Sequence, residues 1–540
     1  MTQQNASGAP YPPPPAIRAE LHYRDRVVGC FAHRPASIGD MLEAAVARWP
    51  DRTAITDETR SLSYVELAAE VEAVAGGLAD LGVAPGERVA LMLANSVEMM
   101  VALCAILRLG AIATPVNVRE QAPELRRTLE HCGAAAILYE ADLAERVPDR
   151  AHAPALKRVS VRGSASDAIP YAQLAASPRR VSQPLVLEED VAVLLYTSGT
   201  TGKPKGAMLT HLSLISAALQ YAAAADLTAD DCAAVPAPMS HVTGLTGGLL
   251  PMLLVGGRVL SVREFKAGPY LQRIAEARAS FMIMVPAMYA LCMLQPEVKS
   301  LDLSAWRIGG YGGAPMAPAL IERLAETLPN LRLINSYGST ETSGPQVLGR
   351  PESALRKAGA IGLPALGVEV LIMDERGRAV EPGETGEVWL RSGGVCRGYW
   401  NDAEATAAEF AAGFWKSGDI GRIDADGYLV LLDRKKDVIN RGGYKVYSAE
   451  VEGALLSMPG VLEAAVAPYP CPVLGERVHA FITVAEDGAP DEETLRAHCA
   501  AHLADYKTPD RFTLSTTPLP RNANGKILKR TLALEASQAG

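Results

Sequence analysis

Apolar residues recur at helical spacing near the start of the chain. In the stretch 37–49 they follow each other three or four positions apart, and Ser37 stands just before them. This spacing predicts an amphipathic helix with Ser37 as its N-cap. The stretch 63–82 repeats the arrangement, because Ser63 and Glu66 fit a capping box and a glycine closes the run.

Short apolar runs alternate with these helical stretches. RVALML (88–93) and VAVLLY (191–196) are almost entirely apolar, which is typical of buried strands. The alternation continues to about residue 370 and predicts α/β sheets covered by helices. Between 370 and 432 the pattern changes to short strands and turns, which predicts a β-rich subdomain.

A compact unit follows the charged stretch DRKKD (433–437). The pattern there predicts helices over 448–458 and 492–503 and strands over 463–469 and 477–484. Together they form an α+β domain of about 100 residues, close to the common domain size. Charge replaces apolar alternation abruptly at DRKKD, so this stretch is the predicted linker.

The predicted fold class is therefore α/β, in two domains. The large N-terminal domain covers 17–435 and combines layered α/β sheets with the β-rich subdomain. The small α+β domain covers 436–540. Residues 1–16 are polar and then proline-rich, which predicts a disordered tail.

Composition excludes several classes of protein. The 540 residues are 49% hydrophobic and 21% charged, which suits a soluble globular protein of more than one domain. A net charge of −9 and only 5% aromatic residues argue against a nucleic-acid partner. The eight cysteines form no CxxC pair, so neither a zinc site nor a disulfide scaffold is indicated. Without a signal peptide or roughly 20 uninterrupted apolar residues, we expect a cytoplasmic protein with no membrane span.

The stretch YTSGTTGKPKG (196–206) has the composition of a phosphate-binding loop. Glycine lets backbone N–H groups approach an anion, hydroxyls add hydrogen bonds, and lysine adds positive charge. It is not a GxxxxGK[ST] loop, because only two residues separate Gly199 from Gly202 and Pro204 replaces the metal-binding hydroxyl. A flexible linker has similar composition. The buried strand predicted directly before the loop favours phosphate binding.

Four later stretches are suggestive, and each has an ordinary alternative. GGYGGAPMAP (309–318) suits close approach to a flat ring, or a plain strand–helix connection. NSYGSTETSG (335–344) collects hydroxyls around one acid. WKSGDIG (415–421) offers a carboxylate to vicinal hydroxyls, or is a simple turn. PLPRNANGKILKR (518–530) exposes a lysine on an Asn-Gly turn, or is a solvated basic run.

In combination these stretches resemble a known family. YTSGTTGKPKG, GGAPM, YGSTET, SGDIG, DRKKDVINRGGYKV and PRNANGK occur in the order of the motifs of the adenylate-forming superfamily, and the likeness runs from about residue 35 to 532. The acyl-CoA synthetase branch is the most similar. The resemblance implies an AMP-forming acid–thiol ligase that uses ATP, Mg²⁺ and coenzyme A. It also implies that the small domain is mobile.

The resemblance implies a role for each matching residue. The phosphate loop comprises Thr197, Ser198, Gly199, Thr200, Thr201, Gly202 and Lys203. The rest of the ATP site comprises Gly312, Gly313, Ala314, Pro315, Tyr337, Gly338, Asp419 and Arg434, with Tyr337 on the adenine and the last two on the ribose. The implied catalytic residues are Thr340 and Lys526 at the α-phosphate and Glu341, which holds the metal.

Rotation of the small domain after adenylation is a further implication. Lys436 matches the hinge, and the residues brought to the CoA side are Arg441, Gly442, Gly443, Tyr444 and Lys445. Related synthetases are acetylated at the lysine matching Lys526, so a lysine acetyltransferase is an expected partner. The oligomeric state stays open, a homo-oligomer included.

Substrate choice depends on the predicted acyl pocket, which matches His241, Val242, Thr243, Gly244, Gly310 and Ser336. None carries a fixed charge, which favours an acid with an uncharged tail (medium-chain, alicyclic or aromatic) over an amino acid or a dicarboxylate. Glycine in this pocket is compatible with room for a ring. Two alternatives remain: an adenylation enzyme that loads a carrier-protein phosphopantetheine, and a non-catalytic nucleotide-binding relative.

Overall fold

The computed structural model describes residues 15–182, 184–197, 204–357, 359–486, 488–521 and 527–538. Its strands are β1 (Ile17–His22), β2 (Arg26–Phe31), β3 (Thr53–Thr56), β4 (Ser61–Ser63), β5 (Arg88–Met92), β6 (Ile112–Pro115), β7 (Ala134–Glu140), β8 (Lys157–Val161), β9 (Ile169–Pro170), β10 (Val191–Thr197), β11 (Lys205–Thr210), β12 (Cys232–Val235), β13 (Arg258–Ser261), β14 (Phe281–Met284), β15 (Ile308–Gly312), β16 (Arg332–Ser339), β17 (Gly344–Leu348), β18 (Leu363–Pro364), β19 (Glu369–Met373), β20 (Gly386–Arg391), β21 (Phe410–Ala411), β22 (Phe414–Ile423), β23 (Leu429–Arg434), β24 (Ile439–Arg441), β25 (Tyr444–Val446), β26 (Val461–Cys471), β27 (Gly475–Val484) and β28 (Arg511–Ser515).

The helices are α1 (Ile38–Arg48), α2 (Tyr64–Asp80), α3 (Val97–Arg108), α4 (Ala122–Cys132), α5 (Tyr171–Leu174), α6 (His211–Ala224), α7 (Val242–Gly244), α8 (Leu250–Val255), α9 (Ala267–Glu276), α10 (Pro286–Met293), α11 (Glu297–Ser300), α12 (Pro318–Thr327), α13 (Ala403–Glu409), α14 (Ser448–Leu456), α15 (Glu492–His502) and α16 (Lys529–Gln538). A π-helical turn lies at Leu245–Leu249, and 3₁₀ turns lie at Ala141–Arg146, Thr340–Thr342, Pro351–Ser353 and Asp505–Lys507. In the described part of the chain, no helix is both long and apolar enough to cross a membrane.

The chain divides into two compact units. The first comprises the described residues up to Val370 together with Leu390–Lys416, and the second comprises Leu371–Trp389 and the described residues from Ser417 onwards. Strands β19, β20 and β22 each continue from one unit into the other. The predicted domain boundary between residues 435 and 436 stays a prediction. Most of the predicted disordered tail, residues 1–14, lies outside the described residues.

The predicted N-terminal helices are confirmed, with their caps. The Ser37 hydroxyl accepts the backbone N–H of Asp40 at 3.0 Å at the start of α1. At the start of α2, Ser63 and Glu66 form the reciprocal bonds of a capping box. These caps satisfy backbone donors that the first helical turn leaves free, which is why the local sequence marks both helix starts.

Two large sheets form the framework of the first unit. The seven-stranded sheet has the order β11-β10-β6-β5-β7-β8-β9, and all neighbours are parallel except β10 and β11. The nine-stranded sheet has the order β18-β17-β16-β15-β14-β12-β13-β3-β4 and is parallel from β16 to β3. Parallel sheets need cover on both faces, and the apolar helices supply it.

Helix α3 is buried on all sides. Every residue from Val97 to Leu107 is buried, and the carboxylate of Glu98 among them is paired with Arg60 and Arg162 at 3.0 Å each. A helix that is apolar all round lies inside a large domain. The eleven residues from Val97 to Leu107 therefore belong to the protein core.

The second unit has its own sheet and core. The order is β25-β24-β27-β26, with β28 parallel to β27. Helices α14 and α15 pack their buried residues Val451, Leu455, Leu495 and Cys499 into one apolar cluster with β26 and β27. The two helices and two strands predicted for this region are confirmed.

Candidate active site

Three predicted site segments leave the nine-stranded sheet at one edge. Strands β12, β14, β15 and β16 are parallel neighbours. Their register pairs Met284 with Tyr311 and Gly312 with Ser336, so the carboxyl ends of the strands lie level. Ligands of open α/β sheets bind at the carboxyl ends of strands. This edge is therefore the candidate site.

The predicted adenine loop, Gly312 to Pro315, follows β15. A Cβ at Gly312 would lie 2.4 Å from the carbonyl oxygen of Ser336, and Gly313 has a φ of +76°, so both positions favour glycine. The two residues after them are exposed. Half-buried Tyr337 stands one residue beyond Ser336, the strand partner of Gly312. Bare backbone beside an aromatic residue suits a flat base.

A hairpin presents the predicted phosphate loop. Thr197 at the end of β10 pairs with Lys205 at the start of β11. Below this pair, the ring of Tyr196 lies against Gly206, where a Cβ would come within 3.1 Å of it. The predicted phosphate ligands from Ser198 to Lys203 lie outside the described residues. The described strands thus fix the two ends of the loop.

Glu341 lies in the 3₁₀ turn directly after β16 and is only 7% exposed. The Ser339 hydroxyl donates to one of its carboxylate oxygens, and the Tyr399 hydroxyl lies 3.0 Å from the other. Half-buried Thr340 precedes it in the same turn. A carboxylate held in this way is the hard oxygen ligand that Mg²⁺ takes, so Glu341 fits the predicted metal role.

Sequence reasoning missed three residues beside Glu341. The Tyr399 hydroxyl also bonds the carboxylate of Glu409, and Glu409 forms an ion pair with Lys205. The Lys205 ammonium lies 5.0 Å from the centre of the Tyr399 ring. Lys205 and Tyr399 stand in the conspicuous stretches KPKG and RGYW. Glu409 gives no sequence signal, because it sits in an ordinary polar helix.

His241 is held as a neutral imidazole. It caps the short helix α7, and its Nδ1 accepts the backbone N–H of Thr243 at 3.2 Å. An accepting Nδ1 carries no proton, and burial lowers the pKa of His241, so the ring stays uncharged near neutral pH. Val242, next to it, is buried. This segment is therefore an uncharged wall beside the sheet edge.

Glycine in the predicted acyl pocket serves close packing. A Cβ at Gly310 would lie 2.8 Å from Ile283, and one at Gly244 would lie 2.3 Å from the backbone of the preceding loop. The hydroxyls of Ser336 and Tyr221 are 2.9 Å apart. Ile283 thus occupies the space that a side chain at position 310 would need, and the role of Gly310 in the acyl pocket stays a prediction.

The predicted ribose ligands meet in the second unit. Asp419 on β22 pairs in register with Arg434 on β23, and the Nε of Arg434 lies 3.3 Å from Oδ1 of Asp419. Asp419 is 8% exposed, whereas Arg434 is exposed. Lys436 follows in the turn 435–437, so the predicted linker begins as strand and ends as turn.

The predicted CoA-side residues form the β24–β25 hairpin. Arg441 is anchored by Asp510 at 2.6 Å and by the carbonyl oxygen of Tyr506 at 2.7 Å. The turn residues Gly442 and Gly443 have φ values of +59° and +91°, which favour glycine. Tyr444 stacks on the ring of Tyr506 at 4.7 Å, and Lys445 pairs with Glu375 at 2.9 Å. Lys526 lies outside the described residues.

Comparison with known proteins decides the family. The family model described as AMP-binding enzyme matches residues 42–400. The model described as AMP-binding enzyme C-terminal domain matches residues 450–526. The chain belongs to the AMP-binding enzyme family.

Relatives of this family member cover nearly its whole length. Feruloyl-CoA synthase of an Amycolatopsis species is 36% identical over 481 residues, which span 89% of this chain and 95% of that protein. A long-chain-fatty-acid–CoA ligase of Mycobacterium tuberculosis is 37% identical over 499 residues, 90% of this chain and 97% of that protein. The structure of o-succinylbenzoate CoA synthetase from Bacillus subtilis in complex with ATP and magnesium ion has a TM-score of 0.81 and 29% identity, and the match covers 91% of this chain and 98% of that one.

The AMP-binding chain therefore lies in the acyl-CoA ligase branch of the adenylate-forming superfamily, as its motifs predict. The α/β fold class and the enzyme class, an AMP-forming acid–thiol ligase, are confirmed. The roles of individual site residues remain predictions. For those described in the first unit, the structure brings Gly312 to Pro315, Tyr337 and Glu341 to one sheet edge.

Proposed function

We propose that the protein is an ATP-dependent carboxylic acid–CoA ligase for acids with an uncharged tail, either aromatic, alicyclic or medium-chain. The observation that carries the substrate class is the uncharged wall at the sheet edge. Segment 236–248 contains no acidic or basic residue apart from His241, and His241 is neutral. A second carboxylate or an ammonium group on the substrate would lie beside this wall without a counter-ion, and burying such an unpaired charge costs considerable binding free energy. Two relatives are named for feruloyl-CoA and for long-chain fatty acids.

The first proposed step joins the acid to AMP. A carboxylate oxygen attacks the α-phosphorus of ATP, the bond to the β-phosphate oxygen breaks, and pyrophosphate leaves with the electron pair. Two anions meet in this step, so the protein contributes mainly by positioning and by neutralising charge. The backbone of Gly312 to Pro315 and the ring of Tyr337 hold the base. Thr340 donates to the α-phosphate.

Glu341 would hold Mg²⁺ in this proposal, and the ion, when bound, would supply positive charge that offsets the charge of the phosphates. The bonds from Ser339 and Tyr399 orient the carboxylate before the ion binds. Lys203 and Lys526 supply further positive charge, the first at the leaving pyrophosphate and the second at the α-phosphate. Asp419 and Arg434 bind the ribose.

The second proposed step transfers the acyl group to coenzyme A. The CoA sulfur attacks the acyl carbon, the bond to the AMP oxygen breaks, and the thiol proton is lost to solvent. The hairpin from Arg441 to Lys445 turns towards the thiol after movement about Lys436. Arg441 is already fixed by Asp510, so the hairpin moves as a formed element. A cytoplasmic location gives access to ATP and CoA.

A screen of acids tests this proposal. Pyrophosphate release and AMP formation are measured with Mg²⁺ across aromatic, alicyclic, fatty, dicarboxylic and amino acids, with and without CoA. We expect turnover with an uncharged-tail acid and formation of acyl-CoA only when CoA is present. The variant Lys526→Ala should lose ATP–pyrophosphate exchange but should still transfer acyl groups to CoA from supplied acyl-AMP. Turnover only with dicarboxylic or amino acids would overturn the substrate class.

The two alternatives give different results in the same screen. A carrier-protein adenylation enzyme would load a holo-carrier protein and leave free CoA unused. A non-catalytic relative would bind ATP and release no pyrophosphate with any acid. The presence of Glu341, Asp419 and Arg434 with their partners argues against the second alternative.

A further inference from the structure

A chain of polar contacts connects the phosphate-loop hairpin with the metal carboxylate. It runs from Lys205 to Glu409, from Glu409 to the Tyr399 hydroxyl, and from that hydroxyl to Glu341. The ends of this chain are residues at two different sheets: Lys205 begins β11 of the seven-stranded sheet, and Glu341 follows β16 of the nine-stranded sheet. The contacts therefore join two halves of the candidate site.

Lys205 offsets one of the two negative charges along this chain. The Tyr399 hydroxyl lies 3.0 Å from a carboxylate oxygen of Glu341 and also contacts a carboxylate oxygen of Glu409, so its one proton can be donated to either carboxylate. Two carboxylates around one hydroxyl would repel each other. The Lys205 ammonium sits against Glu409 and near the Tyr399 ring, so it offsets that repulsion.

Backbone bonds hold the same segment independently of these side chains. The N–H of Met208 donates to the carbonyl oxygen of Gly398 at 2.9 Å, and the N–H of Trp400 donates to that of Gly206 at 2.8 Å. Tyr399 is thus fixed against β11 by the main chain. The side chains of Tyr399 and Glu409 are not needed to hold the segment 398–400 against β11. They are therefore available to orient a carboxylate.

We propose that Tyr399 and Glu409 are positioning residues that hold the Glu341 carboxylate ready for Mg²⁺ and tie its orientation to Lys205 at the foot of the phosphate loop. This inference rests on the proposed function, because it deepens the role given there to Glu341. Residues that orient a metal-binding carboxylate typically change metal affinity 10- to 100-fold when they are removed.

The test compares Glu409→Gln and Tyr399→Phe with the matched control Glu404→Gln. The control removes the same charge from the exposed first turn of the same helix, α13. We expect the Mg²⁺ concentration for half-maximal pyrophosphate release to rise about 10-fold in both test variants. The KM for the acid and the kcat at saturating Mg²⁺ should stay close to those of the wild type, and Glu404→Gln should match the wild type throughout.

A binding measurement separates positioning from activity. In thermal melts, Mg²⁺ added to the ATP-bound protein should raise the melting temperature less for Glu409→Gln than for the wild type, whereas melts without ligand should agree. The double variant Lys205→Met with Glu409→Gln should shift the Mg²⁺ requirement no more than Lys205→Met alone, since the two residues act through one chain.

The outcomes are distinct from failure of the proposed function. If the wild type forms no AMP with any acid, the proposed function fails. If the wild type is active and Glu409→Gln and Tyr399→Phe keep the wild-type Mg²⁺ requirement, this inference alone is overturned. Additive effects of Lys205→Met and Glu409→Gln would overturn the proposed chain as well, because they would show two independent contributions.

Discussion

At the scale of single residues, glycine at the candidate site is required mainly by close backbone contacts. A Cβ at Gly338 would lie 1.9 Å from the carbonyl oxygen of Gly344, across the β16–β17 pair. Gly338 lies in the polar stretch that holds Tyr337 and Glu341, so its environment affects both. No side chain fits between these two backbones without moving a strand.

Gly338→Ala should therefore destabilise the protein by about 1–3 kcal/mol and weaken ATP use, because β17 must move away from β16. Urea unfolding and the KM for ATP measure the two effects. Gly453→Ala is the control: it lies in helix α14 with nothing within 4 Å of the added Cβ, and alanine is a better helix former. A Gly338→Ala protein as stable as the wild type would contradict this explanation.

Motif residues and long-range contacts differ in how far sequence predicts them. Tyr337 and Glu341 belong to one short stretch, so the family motif identifies both. Glu409 lies 204 positions from Lys205, and only the packing of β11 against the segment near Tyr399 brings the two together. Such contacts depend on tertiary structure, which the order of residues along the chain does not show.

At the scale of elements, the first turn of α6 is joined to the first turn of α1 through one histidine. His211 opens α6 and is 4% exposed, and its Nδ1 accepts the backbone N–H of Ile38 at 3.2 Å. Burial lowers the pKa of His211 to about 4. The neighbouring charges of Asp40 and Asp190 oppose this shift and do not overcome it. The junction therefore requires neutral imidazole.

This junction should make stability depend on pH. Between about pH 6.5 and pH 4, His211 is protonated in the unfolded chain but stays neutral in the folded protein. The free energy of unfolding therefore falls as the pH falls. Between pH 8 and pH 5, His211 should lower the free energy of unfolding by about 2 kcal/mol. His211→Gln keeps an acceptor for Ile38 and should remove that part of the decline, as measured by urea unfolding at both pH values.

The exposed His33 provides the control for that experiment. His33→Gln removes an exposed histidine that holds no buried junction. The free energy of unfolding of this variant should therefore decline between pH 8 and pH 5 as much as that of the wild type. An equal decline in His211→Gln would show that the carboxylates of the protein account for the whole effect.

Helix starts and strand positions were predictable because their signals are local. The caps of α1 and α2 and the apolar run of β5 are properties of a few adjacent residues. The strand order of the nine-stranded sheet is not local, since β3 and β13 are neighbours although about 200 residues separate them along the chain. The π-helical turn Leu245–Leu249 was also unpredicted. A Cβ at Gly247 would meet Ile283 at 2.8 Å and one at Gly248 would meet Val235 at 2.5 Å, so tertiary packing determines it.

At the scale of the whole molecule, the chain leaves β23 through a short turn. The N–H of Asp437 donates to the carbonyl oxygen of Arg434 at 2.8 Å, so Lys435 and Lys436 are the central residues of a β-turn. The N–H of Lys435 donates to the carbonyl oxygen of Gly418 at 2.8 Å, and Asp433 is anchored by Ser448. Lys436 is exposed and is flanked by these fixed residues. A change of backbone angle is therefore easiest at Lys436.

Lys436→Pro tests whether domain alternation uses this turn. Proline fixes φ near −65° and also restricts the residue before it, so the variant should be confined to one backbone conformation at the hinge. We expect ATP–pyrophosphate exchange to persist while acyl transfer to CoA slows at least 10-fold, because in the proposed mechanism only the second half-reaction needs the rotated domain. Lys436→Ala, which removes the same charge and leaves φ free, should retain both half-reactions. Equal loss of exchange and transfer in Lys436→Pro would contradict the assignment of Lys436 as the hinge, because the variant would then disturb ATP use itself.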